Sequence, residues 1–413
     1  MNGFQTLFLF LVALMIAAQW WLAGRHIQHV LANRGGVPRA FRRRITLKAH
    51  RRAADYTVAR TRFARVENVI GAALLLGWTV GGGLNALDQW LRGFELGPLL
   101  TGLAFILGAL FIMGLLELPS AGYQTFVIES RFGFNRITPA LFVTDYLRKT
   151  LVLLLVGTPL AAAAMWLMLR TGPLWWVWVW LLWVSFTLFM IWAYPSVIAP
   201  LFNRFEPITE GALYRRVRNL LRRNGFTSRG VYVVDSSRRT THGNAYFTGL
   251  GRAKRIVFFD NLLRSLRGPE IEAVLAHELG HFKRHHIAKR MALMVALSFA
   301  ALALLGWLVQ QEWFYAALGI DQPSPYAALM LFLLAGPVFT FFLNPFFALA
   351  SRRHEYEADE FAAAQTDARA LARALVKLYR ENASTLTPDP MHSAFYDSHP
   401  PALARIGRLM QHK

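Results

Sequence analysis

The sequence predicts a mainly α-helical, multi-pass membrane protein whose cytoplasmic part includes a small β-hairpin. Three observations carry that expectation. Seven largely apolar stretches approach the length of a bilayer crossing, basic residues gather in alternate connections between them, and two short β-prone runs follow one another in the long segment after the fifth stretch. Composition agrees: of 413 residues, 55% are hydrophobic and only 17% charged, more apolar than a soluble domain of this size.

The stretches lie at about 4–23, 68–87, 98–118, 151–169, 174–198, 290–311 and 326–350. The first lacks a basic leader, and Trp20, Trp21 and Leu22 stand where a signal peptidase would cut, so it reads as a retained span. The second carries Gly81, Gly82 and Gly83 near its end and the seventh carries Pro337 and Pro345, so both are expected to bend or break there. The chain accordingly divides into a membrane region, 1–200, with five spans and basic loops, and a second region, 201–413, with the remaining two.

A formal net charge of +21 calls for nucleic acid, anionic lipid or membrane topology as its cause. Placement favours topology. The connection after span one holds Arg39, Arg42, Arg43, Arg44, Lys48, Arg51, Arg52, Arg60, Arg62 and Arg65, whereas the connection after span two offers Arg92 alone. Arg131, Arg136, Arg148 and Lys149 follow span three, Arg170 alone follows span four, the segment after span five is Arg-rich, and 312–325 has no Lys or Arg. The basic segments face the cytoplasm by the positive-inside rule, which puts the N-terminus outside and the C-terminus inside. No nucleic-acid partner is expected, and Arg42 to Arg52 reads as a solvated face against anionic membrane lipids.

There are no cysteines, so disulfides and thiolate sites are excluded and any metal must be held by His, Asp or Glu. The run Ile271-Glu-Ala-Val-Leu-Ala-His277-Glu278-Leu-Gly-His281 has helical periodicity and contains H-E-x-x-H. Residues four apart share a helix face, so His277 and His281 can turn to one ion while Glu278 stands beside its water. Two histidines and a carboxylate suit a catalytic zinc with an open fourth position, and Glu278 is then the proton acceptor. Surface histidines are the competing reading of such a short motif. A third ligand is offered by Ser351-Arg-Arg-His354-Glu355-Tyr-Glu357-Ala-Asp359, where Glu355 and Asp359 share a face and one can bind metal while the other supports it. Glu357 and Glu360 read as solvated, and His285, His286 and His354 as exposed.

With these motifs in place the sequence resembles the type I CAAX prenyl endopeptidases, integral-membrane gluzincins that include the bacterial heat-shock membrane protease. The resemblance extends to Glu129-Ser-Arg-Phe-Gly-Phe-Asn-Arg136, Pro200-Leu-Phe-Asn-Arg-Phe205, His242-Gly-Asn-Ala-Tyr-Phe-Thr-Gly249 and Ser398-His399-Pro-Pro401. It implies seven helices around a large water-filled chamber with a zincin-like site at the cytoplasmic end. It further implies one Zn2+ on His277, His281 and Glu355, Glu278 as general base, and Asp359 in proton donation or support of the site. Peptide or protein substrates, lipid-modified at a CAAX terminus, follow as the expected partners. The long insertions and tail of eukaryotic members are missing, which points to a bacterial inner-membrane protein. The other functions weighed are a quality-control protease without prenyl specificity and a transporter or channel.

Two local readings complete the site. The runs 243–249 and 254–259, joined by Leu250 to Ala253, form a hairpin beside the H-E-x-x-H helix, with Asn244, Ala245 and Tyr246 as candidates for holding a substrate backbone by strand addition. His399 and Arg405 are candidate donors to the oxyanion formed during attack.

Overall fold

The structure, a computed structural model, describes residues 2–226, 228, 230–248 and 255–411. Its first region is built from α1 (Gly3–Ala32), α2 (Leu47–Trp78), α3 (Gly83–Arg92), α4 (Pro98–Tyr123), α5 (Pro139–Arg170), α6 (Trp175–Ala193) and the short α7 (Ala199–Phe202). Local chemistry starts the long ones. Asn2, Thr46 and Thr138 each accept the N–H three residues ahead, that of Gln5, Ala49 and Leu141, satisfying donors that a helix start leaves orphaned. α4 and α6 run on through wide π-turns at Gln124–Glu129 and Tyr194–Ile198.

Among the described residues, six helices are long and apolar enough to cross a membrane, and a seventh crossing is made if α2 and α3 count as one span bent by 43°. The bend falls in the expected glycine run, where Gly82 adopts φ +80°, a conformation that costs a residue with Cβ. The helix that carries this span extends well before its apolar stretch. The α2 helix begins at Leu47, because basic residues from Lys48 to Arg65 are good helix formers that a hydropathy window misses. The basic run is also only half solvated. Arg42, Arg43 and Arg44 are exposed, but Phe41 and Ile45 between and beside them are buried in the core of the second region.

The second region contains β1 (Phe205–Ile208), α8 (Gly211–Arg223), β2 (Gly230–Val234), β3 (Ala245–Thr248), β4 (Arg255–Phe259), α9 (Asp260–Ser265), α10 (Gly268–Lys283), α11 (His286–Leu308), α12 (Glu312–Ala317), α13 (Pro325–Thr340), α14 (Asn344–Gln365), α15 (Ala368–Glu381), α16 (Pro390–Tyr396) and α17 (Ala402–Gln411). Span seven runs on from α13 to α14 through a tighter 3₁₀ turn, Phe341–Leu343; Pro337 stays inside α13 and Pro345 sits in the first turn of α14, where its missing N–H costs nothing.

The four strands form one sheet in the order β1-β2-β4-β3. The β3 and β4 strands pair antiparallel with Ala245 opposite Phe258, so the expected hairpin pair is present and β3 is an edge strand. Its connecting residues Leu250 to Ala253 lie outside the described residues. One face of the sheet packs with α8, α10, α15 and α17 around Val217, Leu220, Phe258, Leu262, Leu275, Leu279 and Leu371. A separate apolar cluster fills the other end of the helical region around Phe8, Phe105, Met165, Tyr315 and Leu331.

Polar clasps join the two regions. The Arg239 guanidinium donates two hydrogen bonds to Asp145 of α5, at 2.8 and 3.0 Å. Beside the cluster around Phe8 and Phe105, buried Asp88 accepts from Tyr326 Oη at 2.6 Å and from Arg92 Nε at 2.8 Å. Between the ends, a cavity of about 410 Å3 is lined by Gln19, Arg60, Glu67 and Gln124 among others. It meets the groove described next at Asn382, Ser384 and Tyr396.

Candidate active site

The site forms where α10 and α14 cross. Glycine makes that approach possible. A Cβ on Gly280 would lie 3.0 Å from the Ala358 Cα and 3.2 Å from its carbonyl oxygen, so the H-E-L-G-H glycine is the point where α14 seats against α10. Gly280→Ala is expected to cost about 1–3 kcal/mol of stability by overpacking and to weaken metal binding with it. Thermal unfolding and chelator competition on the same sample check both.

The ligand atoms of His277, His281 and Glu355 all lie within 4.8 Å of one another. His277 Nε2 is 3.4 Å from Glu355 Oε2, and His281 Nε2 is 3.3 Å from Glu355 Oε1. Two ligands bound about 2.0–2.1 Å from a tetrahedral ion stand roughly 3.4 Å apart, so the spacing fits a zinc-sized cation. Among the described residues Glu355 Oε2 is buried with no hydrogen-bond partner, an arrangement that a cation would relieve.

Each histidine has its outer nitrogen engaged. His277 Nδ1 is 2.9 Å from Asp359 Oδ1, so an Nδ1–H donated there leaves Nε2 as the lone pair facing Glu355. Burial disfavours a charged His277, but Asp359 and Glu355 outweigh it and hold the imidazole up to about 9 in the absence of a cation. His281 Nδ1 lies 3.0 Å from His286 Nδ1, and His286 Nε2 lies 2.9 Å from Glu357 Oε2. The chain His281, His286, Glu357 thus does through an intervening ring what Asp359 does directly.

His286 corrects the expectation from sequence. His286 is 4% exposed and stacked on His354 at 4.1 Å, and Glu357, though partly solvated as expected, is also its hydrogen-bond partner. The signal was present, since His286 follows the motif by five residues and Glu357 stands two beyond Glu355. It was unreadable because a break in the helix decides the geometry: His285, at φ +57°, ends the α10 segment and turns His286 back onto His281. His286→Ala and Glu357→Gln are each expected to lower metal affinity about 10–100-fold, measured by chelator competition, with Lys283→Ala, exposed near the end of α10, as control.

Glu278 lines a groove of about 530 Å3 with His277, Asn244, Ala245, Tyr379, Asn382, His399 and Arg405. Burial pushes its carboxyl above the ordinary range against the pull of His277 and His281, which makes it a better proton acceptor near neutrality. His399 Nε2 is 3.3 Å from Glu355 Oε1, and its Nδ1 is 3.0 Å from Ser398 Oγ.

Arg405, the other candidate oxyanion donor, also lines the groove but is engaged by a carboxylate. Its Nε and Nη2 donate to the two oxygens of Asp359 at 2.9 and 2.6 Å, and the residue is 5% exposed. Of the three hairpin candidates, Asn244 and Ala245 border the groove. Tyr246 instead packs with Tyr194, Phe205 and Tyr232 around a separate small cavity, because neighbouring strand residues point to opposite faces. Asn382 was not foreseen. Its Oδ1 accepts from Gly243 N at 3.2 Å and lies 3.3 Å from His242 Nδ1, tying α15 to the turn that presents β3.

Comparison with known proteins accords with this geometry. Residues 26–204 match the family described as CAAX prenyl protease N-terminal, five membrane helices, and 207–413 match peptidase family M48. The chain is 34% identical over 313 residues to the CAAX prenyl protease 1 homolog of Arabidopsis thaliana, covering 75% of this chain and 73% of the relative. It is 31% identical over 346 residues to the homolog of Homo sapiens, covering 74% and 73%. The crystal structure of S. mikatae Ste24p superposes with a TM-score of 0.92 at 25% identity, over 99% of both chains.

Proposed function

The chain belongs to peptidase family M48 and is a multi-pass membrane metalloendopeptidase, and from that premise we propose that it cleaves CAAX-type, lipid-modified polypeptides with one zinc ion held by His277, His281 and Glu355. The observation that carries the reading is the convergence of those three side chains at one end of the groove that also holds Glu278. The kinship with proteins named CAAX prenyl protease 1 supports the substrate class.

A zinc ion bound there supplies a Lewis acid that acidifies water and polarises the scissile carbonyl. The chain does the rest. A peptide added to the edge of β3, across Asn244 and Ala245, is held extended with its scissile bond next to Glu278. Glu278 accepts the proton of the attacking water and returns it to the departing amine nitrogen. His399 is the donor to the oxyanion, standing exposed beside Glu355, whereas Arg405 acts through Asp359 as a positioning residue. Asp359 and His286 hold the two imidazoles in the tautomer that leaves Nε2 free.

The site faces the cytoplasm, as the basic connections on its side of the membrane indicate, and those residues meet anionic lipid headgroups rather than nucleic acid. A bacterial inner membrane is the proposed location. The test is purified full-length protein in nanodiscs with a quenched CAAX-type peptide. Cleavage stopped by a chelator and restored by stoichiometric zinc is expected, and cleavage indifferent to metal removal would overturn the reading.

A further inference from the structure

A second, apolar cleft of about 490 Å3 opens between α11 and α14, lined by Leu293, Met294, Phe347, Ala348, Phe395 and Tyr396. Its rim carries Lys289 and Arg290 in the first turns of α11. Basic residues at the cytoplasmic end of a span sit at headgroup level, with their stems along the apolar surface. The apolar wall one turn further along α11 therefore lies where the hydrocarbon of the bilayer begins.

The cleft also touches the catalytic groove, since Tyr396 and Ser398 line both. Ser398 Oγ is 3.0 Å from His399 Nδ1, and His399 Nε2 is 3.3 Å from Glu355 Oε1. Two contacts thus separate the wall of the cleft from a metal ligand. His354, which also lines the cleft, precedes Glu355 in the chain.

The two spaces differ in chemistry. The catalytic groove is mixed, with Asn244, Glu278, Asn382 and Arg405 beside Leu371 and Leu375, whereas the cleft is predominantly apolar. A hydrocarbon chain drawn from a bilayer into such a space loses about 0.8 kcal/mol per CH2 that becomes wetted. A lipid-modified peptide can reach the groove without that loss only if its chain stays in an apolar space adjoining the scissile bond. The cleft has that position, an ordinary ligand-pocket volume, and an opening at the depth where a membrane-anchored chain already lies.

We propose that the cleft between α11 and α14 houses the isoprenoid chain attached to the cysteine of the substrate while the peptide lies along β3. The inference rests on the CAAX reading above and adds the subsite that would make the lipid a determinant of specificity.

The test uses the full chain in phosphatidylcholine nanodiscs and two peptides of one CAAX sequence, one S-farnesylated and one S-methylated. Wild-type protein is expected to favour the farnesylated peptide in kcat/KM, chiefly through KM. Leu293→Trp, which fills the cleft from its exposed wall, is expected to lower that preference about tenfold. Leu297→Trp, exposed on the same helix outside the cleft, should leave the preference as it is. Ala348→Phe fills the cleft from the other wall, and Leu293→Trp decides the matter if that buried change impairs folding.

Equal preference in Leu293→Trp and Leu297→Trp, or no preference in wild type, would overturn the inference. In a companion experiment a photoreactive farnesyl peptide should label α11 and α14 beside the cleft. Labelling there by a photoreactive phospholipid that excess farnesyl peptide fails to displace would assign the cleft to bilayer lipid and also overturn it. Wild type that cleaves neither peptide would instead count against the CAAX reading itself, so the two failures are distinguishable.

Discussion

Glu278→Gln is expected to reduce kcat/KM for a CAAX-type peptide by about 10²–10⁴-fold, the range that a positioned proton acceptor contributes. The substitution keeps the volume and shape of the side chain, so the packing of α10 against α14 and the spacing of His277, His281 and Glu355 are preserved. Metal content, measured by elemental analysis, should therefore match wild type. The apparent melting temperature should be equal or higher, because burial already works against a charge at this position. That pattern separates Glu278 from the ligands, since His281→Ala should lose metal and activity together. Turnover that survives Glu278→Gln, or metal that is lost with it, would remove Glu278 from its assigned role.

Arg405→Ala is expected to be the most destabilising single change in the site. Both partners are buried, and the guanidinium makes two hydrogen bonds to Asp359 while its Nη1 stands 3.4 Å from Glu355. Removing it strips the buried Asp359 of its two-pronged partner and Glu355 of a neighbouring guanidinium, at a cost of about 3–5 kcal/mol. Arg405→Lys keeps the charge but not the two-pronged geometry and should recover only part of that loss. Combining Arg405→Ala with Asp359→Asn should recover stability without recovering metal affinity, because His277 then lacks its carboxylate. Thermal unfolding and chelator competition, run in parallel on the four proteins, read the two effects separately. A melting temperature unmoved by Arg405→Ala would refute the buried pair as a structural element.

The spans were legible because burial in lipid demands apolar side chains over a fixed length, and that demand is written residue by residue. Their ends were not. The α2 helix extends to Leu47, and α14 runs from Asn344 to Gln365 through Glu355 and Asp359, since a helix continues past the bilayer wherever polar helix formers pack or meet water. The interior of the basic run was likewise hidden: Phe41 and Ile45 are buried in a core assembled from α8, α10 and α15, partners distant in sequence.

In the site, four-residue spacing on one helix was enough to put His277 and His281 on a common face and to pair Glu355 with Asp359. Roles that depend on which way a side chain turns could not be read in the same way. Tyr246 lies on the face away from the groove, Arg405 is engaged by Asp359, and His286 is buried behind His281 by the turn at His285. Arg405 meets Asp359 across 46 residues of chain and His286 meets Glu357 across 71, while the backbone turn at His285 brings His286 to His281.

The sequence by itself determined the membrane class, the crossings, the exclusion of thiolate chemistry and the identity of the residues able to hold a metal, because periodicity, hydropathy and ligand type are local properties of the chain. Only the tertiary structure decided that α14 docks on α10 at Gly280, which carboxylate faces which imidazole, and where the apolar cleft opens beside the groove. Those are distances between separate elements, fixed by packing and by the pairing of buried charges, and no local pattern encodes them.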